Sequence, residues 1–382
     1  MCEQAVRVMG IMARASPHAR NAFLDAGALS GVLRFLSGGS KPSLAKASAH
    51  TLCAFLQGKR SPAVEHVEAM MPAIDQLLHD HEDVALLTDV LRGLVGVTEG
   101  EGYDLRQEVV TAGVCSHLPG LLRHASAAVA MAALQWAGNM VSGNEGDTRA
   151  VVSAGVLPIL VHMLASPEIK VCRAACWAVS NVMAGTPSQI QAVLATGVLP
   201  TLMDLLQSKD TKLRRSAGWA LSNAALEGAH AQRLTLLRAG CMRALIQVVR
   251  DNDDESDWSS AMQGIDSLLT SAQKSGNASL LATSLAQCRD ADLPRVLASK
   301  LDHRNKCTCM TPIHVHAFLS GLTRVCGAVC VGPCGRTAAC GLHHCTCVSL
   351  GASISSHSCA HTLCRVHAQH APHTGYVVRR WR

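Results

Sequence analysis

Two Trp–Asn pairs stand 42 residues apart in the sequence. The segment CRAACWAVSNVMAG holds Trp177 and Asn181, and the segment RRSAGWALSNAALEG holds Trp219 and Asn223. Residues four apart share one face of a helix, so each pair would present an indole and an amide side by side. An indole face attracts cations, and an amide both donates and accepts hydrogen bonds. The pairs therefore place a ring that attracts cations beside a group that can form hydrogen bonds, on one face of each helix.

A purely structural role is the alternative for these residues. A tryptophan is often largely buried in a core, and an asparagine often caps a helix or faces solvent. One such pair taken alone favours that structural interpretation. The second pair, in phase with the first, favours a binding role.

The elements that must position these pairs form a repeat of about 42 residues. A glycine that follows a small residue marks five units of it: Gly27, Gly113, Gly155, Gly197 and Gly240. The intervals are 86, 42, 42 and 43 residues, and the first is about twice the others. The missing unit falls near residue 70, where EAMMPAIDQLL has a similar pattern without the glycine. The sequence therefore predicts six units.

Each unit is predicted to contain three helices. The first ends at the glycine, a residue suited to the left-handed position after a helix. The second carries Pro158 or Pro200 in its first turn, where a missing N–H costs little. The third has the pattern VCRAACWAVSNVMAG, whose small residues allow close approach. Such units bury their apolar faces only by stacking, so we predict an all-α fold, a superhelical α-solenoid with a long groove.

The composition agrees with helices and excludes several classes of protein. Apolar residues make up 48% of the chain and aromatic residues only 3%, which favours helices packed through small side chains. We find no apolar run of about 18 residues that would span a membrane, and no signal peptide. The chain has no glycine-rich phosphate loop, nucleophile elbow or HExxH motif. We therefore predict no enzyme, no catalytic residue and no cofactor.

The C-terminal residues differ from the rest of the chain. Residues 303–382 hold eight Lys and Arg and no Asp or Glu. The net charge of +6 of the whole chain therefore comes from this part. Ten of the 17 cysteines lie at or after Cys307. Their CxC and CxxxC spacings do not form the two matched ligand pairs of a zinc site. We predict a basic Cys/His-rich tail over 301–382 that is disordered and holds no metal. Binding of metal or nucleic acid through this tail is the alternative.

Several segments resemble importin-α, the armadillo-repeat adaptor of nuclear import. The segments CWAVSNVMAGTPSQIQAVLATGVLP and AGWALSNA are similar to its later repeats. The segment GKRSPAVEHVEAMMPAIDQLLHDHEDV is similar to its middle, and GIDSLLTSAQKSG followed by QCRDADLP to its C-terminal end. The resemblance covers roughly residues 4–300, so it implies a right-handed armadillo-repeat α-solenoid over 1–300.

The resemblance implies a function for the groove. In this family a ladder of Trp and Asn residues binds nuclear localisation signals, which are Lys- and Arg-rich peptides. The indoles would form slots for basic side chains, the amides would clamp the peptide backbone, and one acidic residue would attract charge. The implied peptide-binding residues are Trp177, Asn181, Trp219, Asn223, Asn139 and Glu145. The implied partners are basic cargo peptides, without membrane or nucleic acid, and the implied location is cytoplasm and nucleus.

The early repeats depart from the family. Their ladder positions hold other residues: Arg7 and Ile11, then His50 and Ala54, then Arg92 and Gly96. The basic arm that recruits importin-β in the family is also not found, so we predict no binding to importin-β.

The later repeats depart less. Gln135 stands at the ladder position before Asn139, and Trp136 is one residue out of phase, which favours a core role. The Glu that the family carries three residues before each later ladder tryptophan is replaced by Ala174 and Ser216, and Arg173, Arg214 and Arg215 lie nearby. The attraction for a cationic peptide would therefore be weaker. A degenerate armadillo scaffold that binds other proteins is therefore the alternative function. We interpret the acidic segment 251–257 as a solvated turn, with contact to a partner as its alternative.

Overall fold

The computed structural model describes residues 1–36, 39–58, 61–80, 83–99, 105–251, 254–293 and 295–296. All of them belong to one unit of the chain, Met1–Leu322, and the second unit, Thr323–Arg382, lies outside them. The described residues form helices and no strand. In chain order the helices are α1 Cys2–Ala15, α2 Pro17–Asp25, α3 Ala28–Leu36, α4 Pro42–Leu56, α5 Val64–Asp80, α6 Val84–Glu99, α7 Arg106–Thr111, a 3₁₀ turn Val114–His117, α8 Leu118–Leu122, α9 Ala127–Val141, α10 Glu145–Ser153, α11 Leu157–Met163, α12 Ile169–Val182, α13 Pro187–Leu194, α14 Leu199–Leu205, α15 Thr211–Glu227, α16 His230–Arg238, α17 Cys241–Asp251, α18 Glu255–Lys274 and α19 Ala278–Asp290.

The helices group into the predicted three-helix units. Helices α10 to α12, α13 to α15 and α16 to α18 each form one unit of a short, a second and a third helix. The five marker glycines all adopt left-handed backbone angles, with φ between +74° and +86°. The predicted phase of the repeat is therefore confirmed.

The unit without a marker glycine differs in one respect. Helix α5 runs without a break through the place where the other units end their first helix, with Pro72 inside it. Because no glycine supplies a left-handed turn there, the first two helices of this unit continue as one.

The third helices form a continuous row. Each of α1, α4, α6, α9, α12, α15 and α18 contacts the next third helix in this order. Glycines allow the close approach: a Cβ atom on Gly10 would lie 2.7 Å from Oγ1 of Thr51, and one on Gly264 would lie 3.3 Å from Cβ of Ala225. The predicted role of small residues in the third helices is confirmed.

Two glutamines tie neighbouring first helices together. The side chain of Gln189 accepts from the backbone N–H of Thr186 and donates to the carbonyl of Glu145, 3.1 Å away. Gln232 likewise accepts from Ala229 and donates to the carbonyl of Pro187. Each glutamine therefore caps its own helix and bonds to the preceding unit, which fixes the stacking of the first helices.

The core contains thiols and two indoles, those of Trp136 and Trp258. Cys53, Cys115, Cys172, Cys176, Cys241 and Cys288 are buried, whereas Cys2 is exposed. Burial raises the pKa of the Cys115 and Cys241 thiols to about 12, so these groups are neutral and unreactive at neutral pH. Trp136 is completely buried, which confirms its expected core role. No described helix is both long enough and apolar enough to cross a lipid bilayer.

Two predictions fall wholly or partly outside the described residues. The tail over 301–382, including its predicted disorder and its lack of metal, lies outside them, as does its boundary with the solenoid. Within the acidic segment 251–257, the structure gives a side-chain contact for Asp254, while residues 252 and 253 lie outside the description.

Candidate functional site

One face of the third helices carries the predicted ladder positions, and we call it the ladder face. Its first position in successive units holds Arg7, His50, Arg92, Gln135, Trp177, Trp219 and Gln263. Its second position, four residues later, holds Ile11, Ala54, Gly96, Asn139, Asn181, Asn223 and Ser267. Both Trp177 and Trp219 are partly exposed, unlike the fully buried Trp136. The two tryptophans are therefore surface residues of the ladder face and not ordinary core residues.

Trp177 packs against the backbone of the preceding third helix. A Cβ atom on Gly138 of α9 would lie 2.4 Å from Cζ3 of the Trp177 ring. Any larger residue at this position would collide with the indole. Gly138 therefore fixes where the Trp177 ring lies, a role that the Trp–Asn spacing does not reveal.

Trp219 already carries a cation on its ring. The guanidinium carbon of Arg215, four residues earlier in α15, lies 4.9 Å from the ring centroid. Nη2 of the same Arg215 lies 2.9 Å from Oδ2 of Asp254, directly before α18. The arginine that the sequence places near the indole thus lies over it and is held there by a carboxylate of the next unit.

The three ladder asparagines have different surroundings. Nδ2 of Asn223 donates to the backbone carbonyl of Ser180, 3.1 Å away on α12. Nδ2 of Asn139 lies 3.4 Å from the carbonyl of Val95 on α6, and this residue is only 8% exposed. Val95 and Ser180 occupy equivalent positions, so these amides tie adjacent third helices together in the same manner. An amide nitrogen carries two hydrogens and its oxygen accepts two bonds, so one hydrogen bond between helices leaves further donors and acceptors. A peptide could use these only where the side chain is exposed.

Asn181 lacks the tie that its neighbours make. Its Nδ2 is buried and makes no hydrogen bond to any of the described residues, although the residue as a whole is partly exposed. A buried donor without a partner costs about 1–3 kcal/mol. Asn181 therefore has both an unmet donor and access to the surface.

A second periodic feature of the ladder face is an ion pair between units. Nζ of Lys46 lies 2.6 Å from Oδ2 of Asp83, Arg173 forms a two-pronged pair with Asp210, and Arg215 pairs with Asp254. Each cation stands four residues before the ladder position of its helix. Each aspartate directly precedes the next third helix.

These pairs perturb the aspartates in the expected direction. The hydrogen bond from Lys46 lowers the pKa of Asp83 to about 2. The hydrogen bond from Arg173 lowers the pKa of Asp210, whose carboxylate also accepts from the backbone N–H of Leu213. Sequence reasoning missed this feature, although a Lys or Arg followed 37 to 39 residues later by an Asp is visible in the sequence.

Glu145 lies at the first residue of α10, away from the third helices in sequence. Its Oε1 lies 3.8 Å from Nη1 of Arg149, and its side chain is about half exposed. Its carbonyl is the acceptor of the Gln189 tie. Glu145 is therefore accessible but already has one cation beside it.

The described residues offer no cluster of three or more His, Cys, Asp or Glu side chains that could hold a metal ion. The geometry of the ladder face is instead that of a surface for an extended chain. It combines indole faces, amides and a regular row of charges.

Comparison with known proteins agrees with this geometry. The family model of the armadillo/beta-catenin-like repeat matches residues 144–184 and 186–226, the two units that contain the Trp–Asn pairs. Importin subunit alpha-1b of Oryza sativa subsp. japonica is 36% identical over 149 residues, which are 39% of this chain and 28% of that protein. Over this part of its length, the chain contains armadillo repeats and is similar to importin-α.

Other relatives extend the comparison. Importin subunit alpha-2 of Arabidopsis thaliana is 36% identical over 124 residues, which are 32% of this chain and 23% of that protein. The matched part therefore spans about a quarter of the length of these curated relatives.

Solved structures share the fold. An engineered protein aligns with a TM-score of 0.66 at 22% identity, over 86% of this chain and 74% of its own. A designed armadillo repeat protein in complex with the peptide (KR)4 aligns with a TM-score of 0.53 at 24% identity, over 63% of this chain and 99% of its own. The α-solenoid predicted from the repeat, and the armadillo fold implied by the resemblance, are thus confirmed.

Proposed function

We propose that the later repeats bind a Lys- and Arg-rich peptide on the ladder face, and that the protein acts as an adaptor of the nuclear-import type. Trp177 and Trp219 form the slots for basic side chains. Asn181 and Asn223 clamp the peptide backbone, with Asn139 in a lesser role because it is nearly buried. Glu145 adds negative charge at the rim.

The observation that carries this proposal is the position of Arg215 over Trp219. A guanidinium 4.9 Å from the ring centroid is at the distance of an energetically useful cation–π contact. The indole face is thus oriented to accept a basic side chain once Arg215 is displaced. Trp177 occupies the equivalent position one unit earlier, and a peptide extended across both units would advance by about three residues from slot to slot.

The unmet donor of Asn181 gives further support. A peptide carbonyl would satisfy this amide after a small rotation of the side chain, with a net gain of about 1 kcal/mol for an ordinary hydrogen bond. An exposed cation–π contact adds about 0.5–1 kcal/mol. Two slots and two or three clamps therefore give a weak site, with a dissociation constant of micromolar order or higher.

The relatives motivate the cellular role. Proteins named importin subunit alpha are 36% identical to this chain over the matched stretch, and a designed armadillo protein holds a peptide of alternating Lys and Arg. We accordingly propose basic cargo peptides as partners and a location in cytoplasm and nucleus. The absence of importin-β binding stays a prediction from sequence.

A titration with a fluorescent Lys-rich peptide tests the proposal. We expect Trp177→Ala and Asn181→Ala each to weaken binding by about 2- to 10-fold, as loss of a contact of roughly 0.5–1.4 kcal/mol requires. Fluorescence anisotropy at constant ionic strength gives the dissociation constants, and circular dichroism checks that each variant is folded.

His50→Ala is the matched control in this titration. His50 occupies the ladder position of α4, which holds no tryptophan, so its removal should leave the affinity for the basic peptide unchanged. If His50→Ala abolishes binding, or if folded Trp177→Ala binds as tightly as the wild type, the peptide does not lie on the Trp–Asn ladder.

A scaffold that binds other proteins is the second candidate function. The pairs of Arg173 with Asp210 and of Arg215 with Asp254 favour it, because they place cations on the ladder face where a basic peptide would lie. A folded protein that shows no binding to the Lys-rich peptide would support this candidate.

A further inference from the structure

The early end of the ladder face contains a groove of its own. It lies between α1 and α4, has a volume of about 660 Å³, and is lined by Arg7, Arg14, Lys46 and His50 together with small and apolar residues. Arg92 follows at the ladder position of α6. The groove therefore lies in the part of the ladder face whose ladder positions hold no tryptophan.

The cations of this region are more accessible than its carboxylates. The side chains of Arg7, Lys46 and Arg92 are 52%, 57% and 64% exposed. Glu3 and Asp83, which pair with Arg7 and Lys46, are each 33% exposed. The charge that an approaching ligand meets first is therefore positive.

A single recessed aspartate organises the centre of the cluster. Asp89 of α6 is 12% exposed, and its carboxylate lies 3.3 Å from Nη2 of Arg14, 2.9 Å from Nδ1 of His50 and 3.6 Å from Nη1 of Arg92. One carboxylate thus serves two arginines and a histidine. With Glu3 and Asp83 included, the region holds four Lys and Arg side chains against three carboxylates, a surplus of one cation.

We propose that this cluster binds an extended acidic peptide. Its three ladder positions hold Arg7, His50 and Arg92. A basic peptide would meet like charges at the two arginines, whereas carboxylates would meet charge-assisted donors there. Neighbouring third helices are about 8–10 Å apart, and an extended peptide advances about 3.3 Å per residue. The complementary ligand therefore carries an acidic side chain at about every third residue.

The lack of asparagines at the early ladder positions predicts how this ligand binds. Ile11, Ala54 and Gly96 replace the ladder asparagines, so no amide side chain from these positions holds the peptide backbone. Binding depends on ion pairs at a partly exposed surface, which are weak individually and sensitive to salt. The site is separate from the tryptophan slots and does not rest on the function proposed for them.

Fluorescence anisotropy with a matched set of peptides tests the inference on the full chain. The probe carries Glu at every third position, separated by Gly and Ser. Its first control has Gln in place of each Glu, and its second control has the same composition with the Glu residues adjacent. We expect the spaced Glu peptide to bind at low salt and the Gln peptide not to bind. The affinity should fall at least about 5-fold between 0.05 M and 0.5 M salt, because screening weakens exposed ion pairs.

Two single variants and one control locate the site. Arg7→Gln and Arg92→Gln, which lie on different helices, should each weaken binding of the Glu peptide about 3-fold or more. Arg243→Gln, an exposed arginine on α17, should leave it unchanged. Circular dichroism identifies any variant that fails to fold, and either of the first two suffices for the test.

Four results would overturn the inference. They are equal binding of the Gln peptide, equal or tighter binding of the peptide with adjacent Glu residues, unchanged affinity in both folded groove variants, and tighter binding of a single-stranded oligonucleotide of the same charge. The last of these would assign the groove to nucleic acid.

Discussion

Arg215 is the residue that most changes the properties of the later site. It lies on the indole face of Trp219 and pairs with Asp254, so an incoming basic side chain must displace it. The guanidinium of Arg173 pairs with Asp210 and does not lie over the Trp177 ring in the same way. The two slots are therefore equivalent in sequence and different in occupancy.

Removal of Arg215 should strengthen peptide binding. In Arg215→Ala the Trp219 ring loses its internal cation, whose contact is of the order of 0.5–1 kcal/mol at an exposed site. We expect about 2- to 5-fold tighter binding of a Lys-rich peptide in an anisotropy titration.

Arg214→Ala serves as the control for this prediction. Arg214 is the neighbouring cation. Its guanidinium donates to the carbonyl of Ser208, 2.8 Å away, and does not lie over the Trp219 ring. It should change the affinity much less. Weaker binding in Arg215→Ala would mean that Arg215 supports the peptide and does not compete with it.

The sequence predicted the ladder residues but not their surroundings. Spacing of four residues within a helix and of 42 between units places Trp177 and Trp219 on one face, because helix geometry and the repeat determine this alone. The orientation of Arg215 depends on Asp254, which is 39 residues away and belongs to the next unit. The unpaired amide of Asn181 likewise depends on the path of a neighbouring helix.

At the scale of helices, the contact between α9 and α12 sets the geometry of the site. Gly138 gives room for the Trp177 ring, and its Cβ position is within 3 Å of two ring atoms. The partly exposed ring thus rests on a backbone surface. A change in this contact should affect both stability and binding.

Gly138→Ala should destabilise the protein and weaken peptide binding. Overpacking typically costs about 1–3 kcal/mol, and the better helix propensity of Ala returns at most about 1 kcal/mol. We expect a net loss of roughly 1–2 kcal/mol in the free energy of unfolding, measured by denaturant titration.

Gly120→Ala is the control for this substitution. Gly120 lies in the helix Leu118–Leu122, and no atom lies within 4 Å of its Cβ position. It should be neutral or slightly stabilising. Equal stability of Gly138→Ala and wild type would show that the Trp177 ring moves freely and is not held by α9.

The fold itself was predictable because each unit repeats the same local signals. The marker glycines adopt φ values between +74° and +86°, as a residue after a helix C-terminus often does. The continuous helix α5 was not predicted, since the loss of a glycine does not reveal whether the chain breaks elsewhere or continues. The ion pairs between units were missed because their partners belong to different repeats.

At the scale of the molecule, the ladder face changes its chemistry along the stack. Its early positions present Arg7, His50 and Arg92, and its later positions present Trp177 and Trp219. We therefore propose ligands of opposite charge for the two ends. We expect a basic peptide to bind at the later end of the ladder face and not at the early end.

Photo-crosslinking tests this claim most directly. A Lys-rich peptide with a photoreactive residue is bound to the full chain, irradiated, and the adducts are located by mass spectrometry. Competition with the same peptide lacking the photoreactive group identifies the specific adducts. We expect these adducts in α12 and α15, within 169–182 and 211–227. Specific adducts in α1, α4 or α6 instead would contradict this claim.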